Sequence, residues 1–383
     1  MSEIETFRNL KDISFIEDIS IDSLKQEAVA VYQQKYQEIT GEKITLYPAD
    51  PMRILINTYV LQLYQGYQFL ERAAKQNFLR YSYGAYLDHI GALKGVTRLQ
   101  AKNAVTTVTF TLSAVQSFDV EIPQNTRVSS GDQIYFATIE KAIISAGELT
   151  KDVDCICQQA GSIGNGYEIG QLNVLVDPIF YVDSVYNLTK SQGGSKEESD
   201  TSFSERIFLA PSSYSTAGPK EAYIYWVKTY STLIQDVYVE MVTPGVVEIC
   251  ILLEGGILPE KTFLEGLHTF LEKEGVRPLT DEVRIFAPTI VEYELDITYY
   301  ISRKNRNIEQ DVKNKIEIAI QAYVTWQKEA IGRDINPSEL IRCMMEAGAK
   351  RVEVRSPLFI SVQHTELAQC NRQTIVYGGL EYD

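Results

Sequence analysis

Apolar residues recur at helical spacing through the first hundred positions and then switch to the alternating spacing of strands. Leu24, Ala28, Val31, Tyr32, Tyr36 and Ile39 define one helical face over about residues 20–40, which Gly41 ends. Asp50-Pro51 opens a second helix, an acidic cap followed by a first-turn proline. Its composition is unusual, because no charged residue occurs between Ile54 and Leu70. A helix apolar on most sides is either covered all round or crosses a membrane. The uncharged run is shorter than the ~20 residues of a span and carries Asn57, Gln62, Gln65 and Gln68, so burial is expected instead. A small helical domain cannot cover every side itself. Ile54, Leu55, Tyr59, Leu63, Phe69 and Leu70 are therefore expected to meet helices of other chains. Leu87, Ile90, Leu93 and Val96 close the helical region.

Strand pattern follows. Val105, Thr107, Thr109 and Thr111 alternate with Thr106, Val108, Phe110 and Leu112, and β-branched residues dominate. Short strands continue through Ile134 to Thr138 and Val153 to Cys157, with a glycine-rich turn at Gly161–Gly166. That turn lacks the order of a phosphate-binding loop, and no Lys-Ser or Lys-Thr follows it. A bend or hinge is expected at Gly193-Gly194. The acids Glu197, Glu198 and Asp200 after it suit a helix start. Ser215 or Thr216 with Pro219 marks the next helix, with Ala222, Tyr223, Trp226, Val227 and Tyr230 inward. A hairpin turning at Thr243-Pro244-Gly245, a helix from Pro259 to Gly275 and a strand at Val283 complete this unit. A second unit repeats the order, with a helix capped by Asn307 and another opened by Asn336-Pro337.

The fold class expected is thus α+β multidomain. It comprises an N-terminal helical domain (1–100), a small β-sandwich-like or barrel-like domain (101–192) and two C-terminal α+β domains (193–289 and 290–383), each an antiparallel sheet plus helices.

Charge and chemistry narrow the function. The net charge of −15 argues against nucleic acid or an anionic membrane as main partner, since both demand clustered Lys and Arg. The 24 tyrosines suit interfaces, each joining an apolar face to a polar tip. Five cysteines do not make a disulfide framework and read as reduced thiols. The acidic start Met1–Glu5 has no apolar core for export. His89, His268 and His364 have no partners at metal-ligand spacing, and no Gly-x-Ser-x-Gly elbow occurs. No cofactor, metal or catalytic residue is expected, and the chain reads as a non-enzyme built for assembly.

Several of these segments resemble the baseplate J-like family. The resemblance rests on Gly193-Gly194, Glu198-Ser199, Arg206 and Thr216-Ala217-Gly218-Pro219, with Ile122–Thr126 and Gly164-Asn165 upstream and Arg277-Pro278 downstream. Asp88 and Arg98 also fit family positions, whereas Asn125 stands where the family has glycine. Asn tolerates a left-handed turn, so the turn is expected to survive. The resemblance implies a wedge subunit of a contractile phage tail or tail-like injection particle. It implies partners among copies of itself, other wedge proteins, and hub, tube and sheath-initiating proteins, with no nucleic acid and no membrane insertion. It further implies a ring around the hub, assembly in the bacterial cytoplasm, and a part in transmitting the change of shape that triggers sheath contraction. Gly193, Gly194 and Gly218 would then permit domain motion, with Arg206 bracing the joint onto Asp200 or Glu198 and Arg277 holding a loop. The alternatives are a tail-associated protein that binds polysaccharide or degrades cell wall, and a soluble adaptor of a secretion system.

Overall fold

The computed structural model describes residues 3–214, 219–273 and 281–382. The chain divides into two compact units, Met1–Arg98 with Asp200–Phe208, and Leu99–Ser199 with Leu209–Asp383.

The first unit holds helices α1 (Glu3–Arg8), α2 (Ile21–Thr40), α3 (Pro51–Lys75), α4 (Gly84–Leu93) and α5 (Asp200–Leu209). Ser20 and Ser23 bond reciprocally to each other's backbone N–H and start α2, and Gly41 ends it with φ 79°. Pro51 begins α3 as its position requires, but Asp50 does not cap it. The Asp50 carboxylate turns back to the Tyr47 N–H at 2.6 Å, so it fixes the approach to the helix instead. Around α4 and α5, Leu87, Phe203 and Ile207 are fully or almost fully buried. Gly91 lets them close up, because a Cβ there would stand 2.6 Å from Phe203 Cζ. The rings of Phe7 and Phe208 stack at 4.8 Å.

The second unit opens with β1 (Asn103–Leu112), β2 (Val120–Ile122), β3 (Arg127–Ser129), β4 (Tyr135–Thr138), β5 (Ala142–Ile144), β6 (Thr150–Ala160), β7 (Val174–Leu175) and β8 (Val182–Asn187). Six of these form one sheet in the order β7-β3-β4-β6-β1-β8, and β2 pairs with β5. Val108, Phe110, Ile122, Phe136, Ile144 and Leu172 are completely buried in its core. Asn125 takes φ 64°, the left-handed turn expected of it. Among the thiols here, burial pushes that of Cys155 up to about 12, which leaves it unreactive at neutral pH.

Next come α6 (Lys220–Tyr230), β9 (Ile234–Thr243), β10 (Val246–Leu253), α7 (Lys261–Leu271) and β11 (Glu282–Phe286). Finally β12 (Thr289–Ser302), α8 (Glu309–Gln327), α9 (Pro337–Glu346), β13 (Arg351–Ser356) and β14 (Glu366–Glu381). Neither sheet is antiparallel throughout, contrary to expectation. β10 pairs antiparallel with β9 and parallel with β11, and β12 pairs antiparallel with β13 and parallel with β14. An intervening helix carries the chain back to the end where β10 began, which sets β11 parallel. The start of α8 also differs. Residues Arg303–Ile308 form a 3-10 turn, and Ile308, not Asn307, precedes the first helical residue. Asn336 does cap α9, accepting from the Ser338 N–H at 3.0 Å.

Two arginine forks brace the sheets. Arg127 holds Asp177 at 2.7 and 2.9 Å and Arg355 holds Asp296 at 2.6 and 2.8 Å. The hydrogen bonds from Arg127 and Arg355 hold both carboxyls below their ordinary 3.8. A depressed folded-state pKa contributes stability above the unfolded value, and that contribution is lost as pH falls through the folded one. The melting temperature of the chain should therefore drop below about pH 4, and the drop should be shallower in an Asp177→Asn, Asp296→Asn double variant. Calorimetry across pH 2 to 7 checks this, and an unaltered acid slope would remove these pairs from the account.

Candidate assembly site

Beyond β8 the chain runs back beside β1, which decides the surroundings of Gly193 and Gly194. Gln192 exchanges backbone hydrogen bonds with Val105, and Ser195 does so with Lys102. Between them Asn165 brackets Gly194. Its Oδ1 accepts from the Gly194 N–H at 2.9 Å and its Nδ2 donates to the Gly194 carbonyl at 2.7 Å. A Cβ on Gly194 would lie 2.4 Å from the Gly161 carbonyl oxygen. Gly193 has φ 87°. A left-handed residue at Gly193 and a close backbone approach at Gly194 each require glycine. Glu198 is buried, and its carboxylate accepts from the Leu99 N–H at 3.0 Å while its own N–H donates to the Leu99 carbonyl. Ser199 beside it is exposed.

Helix α5 is fastened within the helical unit by charge. Asp200 Oδ1 accepts from Arg98 at 2.7 Å and from the Gly84 N–H at 3.1 Å, and Arg98 Nε also donates to Asp88 at 2.9 Å. Burial acts to lower the Arg98 pKa, and the bonds to Asp200 and Asp88 overcome it, so the net shift is upward. Two guanidinium groups approach the Phe203 ring, Arg98 at 4.8 Å and Arg206 at 5.4 Å from its centre. Arg206 is itself buried and donates to the Thr97 carbonyl at 2.6 Å. The buried Glu205 accepts from Arg8 Nε at 2.7 Å. A buried charge is tolerable only when paired and hydrogen-bonded, so these contacts specify where α5 sits. The pairing of Asp88 with Arg98 joins α4 to the chain beyond it and is not legible from their spacing in the sequence. Pro219 occupies the position before the first turn of α6, one residue earlier than expected. Thr216, Ala217, Gly218, Arg277 and Pro278 lie outside the described residues.

The third feature is α3, where only Val60 is buried. Ile54, Leu55, Tyr59, Leu63, Phe69 and Leu70 are all exposed, from 41% for Leu63 to 71% for Phe69. A groove of about 780 Å³ runs between α2 and α3, lined by Val31, Tyr32, Met52, Leu55 and Tyr59 among others. A second, of about 510 Å³, lies over Gly66 between Tyr59, Leu63, Phe69 and Leu70. Nothing lies within 4 Å of where a Cβ on Gly66 would stand. No helix among the described residues is long and apolar enough to cross a membrane.

This arrangement holds and presents surfaces. Glu198 and Asp200 are engaged by N–H donors, and His89, His268 and His364 lie on different elements, with His364 stacked on Tyr238 at 5.1 Å. Among the described residues no group of three or more His, Cys, Asp or Glu side chains is placed to hold a metal ion.

Three family profiles match in succession. They are the "Baseplate J-like protein barrel domain" over residues 107–194, the "Baseplate J-like central domain" over 215–287 and the "Baseplate J-like protein C-terminal domain" over 295–377. The chain is 31% identical over 186 residues to "Baseplate protein J" of Escherichia phage P2, a match spanning 48% of this chain and 60% of that protein. It is also similar to a chain in the cryo-EM structure of the anti-feeding prophage (AFP) baseplate, six-fold symmetrised, at 11% identity and a TM-score of 0.42, covering 91% of this chain and 90% of that one. The three profiles, which follow one another along most of the chain in the order of its folded modules, make it a member of the baseplate J-like family.

Proposed function

We infer that the chain is a structural, non-catalytic subunit of the baseplate of a contractile phage tail or tail-like injection particle. The observation that carries this reading is the bare apolar face of α3, on a chain whose family is named for baseplates. An isolated protein that keeps Leu55, Tyr59, Phe69 and Leu70 in water gains by burying them against other subunits, at about 1.5–3 kcal/mol for each aliphatic or aromatic side chain fully covered. Within that role the chain acts as a wedge component. Its helical part joins copies of itself or other wedge proteins, and its C-terminal modules contribute to a ring around the hub. The ring meets tube and sheath-initiating proteins and passes on the change of shape that triggers contraction. The four-part division at residues 100, 192 and 289 belongs to this reading, as does assembly in the bacterial cytoplasm without nucleic acid or membrane insertion.

The test is biochemical. Tails purified from cells making the complete particle should contain this chain in stoichiometric amount, and images of their distal end should place it in a six-fold ring. Its absence from such particles, or turnover of cell-wall polysaccharide by the purified chain, would overturn the assignment.

A further inference from the structure

At the end of the six-stranded sheet where β1 stops and β6 and β8 begin, three loops converge. They are 113–119, 145–149 and 176–181, and backbone bonds tie them together. The Ser113 N–H donates to the Tyr181 carbonyl, Gly147 to Gln116 and Leu112 to Leu149, each at 2.9 Å. On this platform stand Phe180 at 89% exposure, Val115 at 56%, Tyr181 at 50%, Phe118 at 47% and Leu149 at 42%. Phe118 and Tyr181 meet edge to face at 5.3 Å. Tyr181 has φ 70°, a conformation that strains a bulky residue and that glycine would take freely. The fold holds an aromatic side chain there at a conformational cost, and in the free chain that side chain lies half in water.

Charge identifies what fits. Asp119, Glu148 and Asp183 border the aromatic cluster, all exposed, with Lys151 as the cation next along β6. Asp119 and Glu148 each accept one loop N–H, from Ala146 at 2.9 Å and Ser145 at 3.2 Å, and each carboxylate keeps acceptor capacity beyond it. An acidic rim on a chain of net charge −15 repels a second copy and any anionic surface. We propose that this loop end is a docking site for a different protein, one presenting an apolar cleft rimmed by lysine and arginine that receives Phe180 and Tyr181. The proposal deepens the assembly reading and rests on it. The aromatic pair would anchor and the carboxylates would steer, the division of labour found in protein interfaces.

A photoreactive benzoylphenylalanine in place of Phe180 in the full chain tests this, with irradiation of both whole producing cells and purified particles. The expected result is a single adduct to another protein, at a segment flanked by Lys or Arg. Its yield should fall about tenfold when Asp119→Lys and Asp183→Lys are added. Tyr181→Gly should lower the yield too, while the melting temperature of the purified chain stays level or rises, which separates lost docking from lost folding. An adduct to a second copy, an adduct insensitive to charge reversal, or no adduct in either sample would overturn the proposal. If purified particles lack the chain, the baseplate assignment fails on that finding, and the whole-cell irradiation still decides the docking site.

Discussion

Replacing Gly194 by alanine should destabilise the six-stranded domain by about 3 kcal/mol, the upper part of the range for forcing atoms into a packed site. The reason is geometric. The added Cβ would stand 2.4 Å from the Gly161 carbonyl oxygen, 2.9 Å from Asn165 Oδ1 and 3.1 Å from the Ala104 nitrogen. Two of those atoms are backbone, so relief requires strands to part, and the third is the acceptor for Gly194's own N–H. The neighbouring Gly193→Ala is the control. Its Cβ would have a single contact, Val105 Cγ2 at 3.9 Å, so the change meets only the left-handed backbone penalty of about 1–2 kcal/mol. Denaturant titration of the two variants, followed by a probe of β-sheet content, should rank Gly194→Ala well below Gly193→Ala. Equal losses would mean that the strands give way easily, and the pair would again read as a flexible joint.

That ranking bears on what was legible in the sequence. Period-two and helical spacing located β1 and α9 because each buries one face against a neighbour, and burial writes that period into the chain. Three things were not written there. The parallel pairing of β11 and β14 depends on where a crossover deposits a strand, and strand composition alone cannot reveal direction. The cap of α8 depends on competition between Asn307 and a 3-10 turn at Arg303–Ile308, and both are compatible with the same letters. The meaning of Gly193-Gly194 depends on Asn165 and Gly161, some thirty residues upstream, which no local window contains. The charged fastening of α5 has the same character. Asp200 was visible as a helix-start acid, but Arg98 as its partner lies 102 residues away. The exposed face of α3 was legible for the opposite reason, since an excess of apolar residues announces itself without reference to any partner.

That face gives the other large effect. Leu55→Lys combined with Phe69→Lys should leave the folded chain nearly as stable as before and yet abolish its incorporation into particles. Both side chains are more than half exposed, 64% and 71%, so the free protein loses little packing when they change. In an assembled helical interface the same changes would remove roughly 3–6 kcal/mol of apolar burial and place two ammonium groups in a desolvated contact, which costs more still. A fall in association of at least two orders of magnitude follows, because each 1.4 kcal/mol is about a factor of ten. Gly66→Leu probes the shape of the face separately. It fills open space in the free chain, so it should raise helix stability by up to about 1 kcal/mol. If a partner helix enters the groove over Gly66, the same change should block it. Thermal melting of the purified variants, set beside their recovery in sedimented tails, distinguishes the outcomes. Variants that melt normally and still assemble would show that α3 remains bare in the particle, and would remove the main physical reason for treating this chain as a subunit that others must cover.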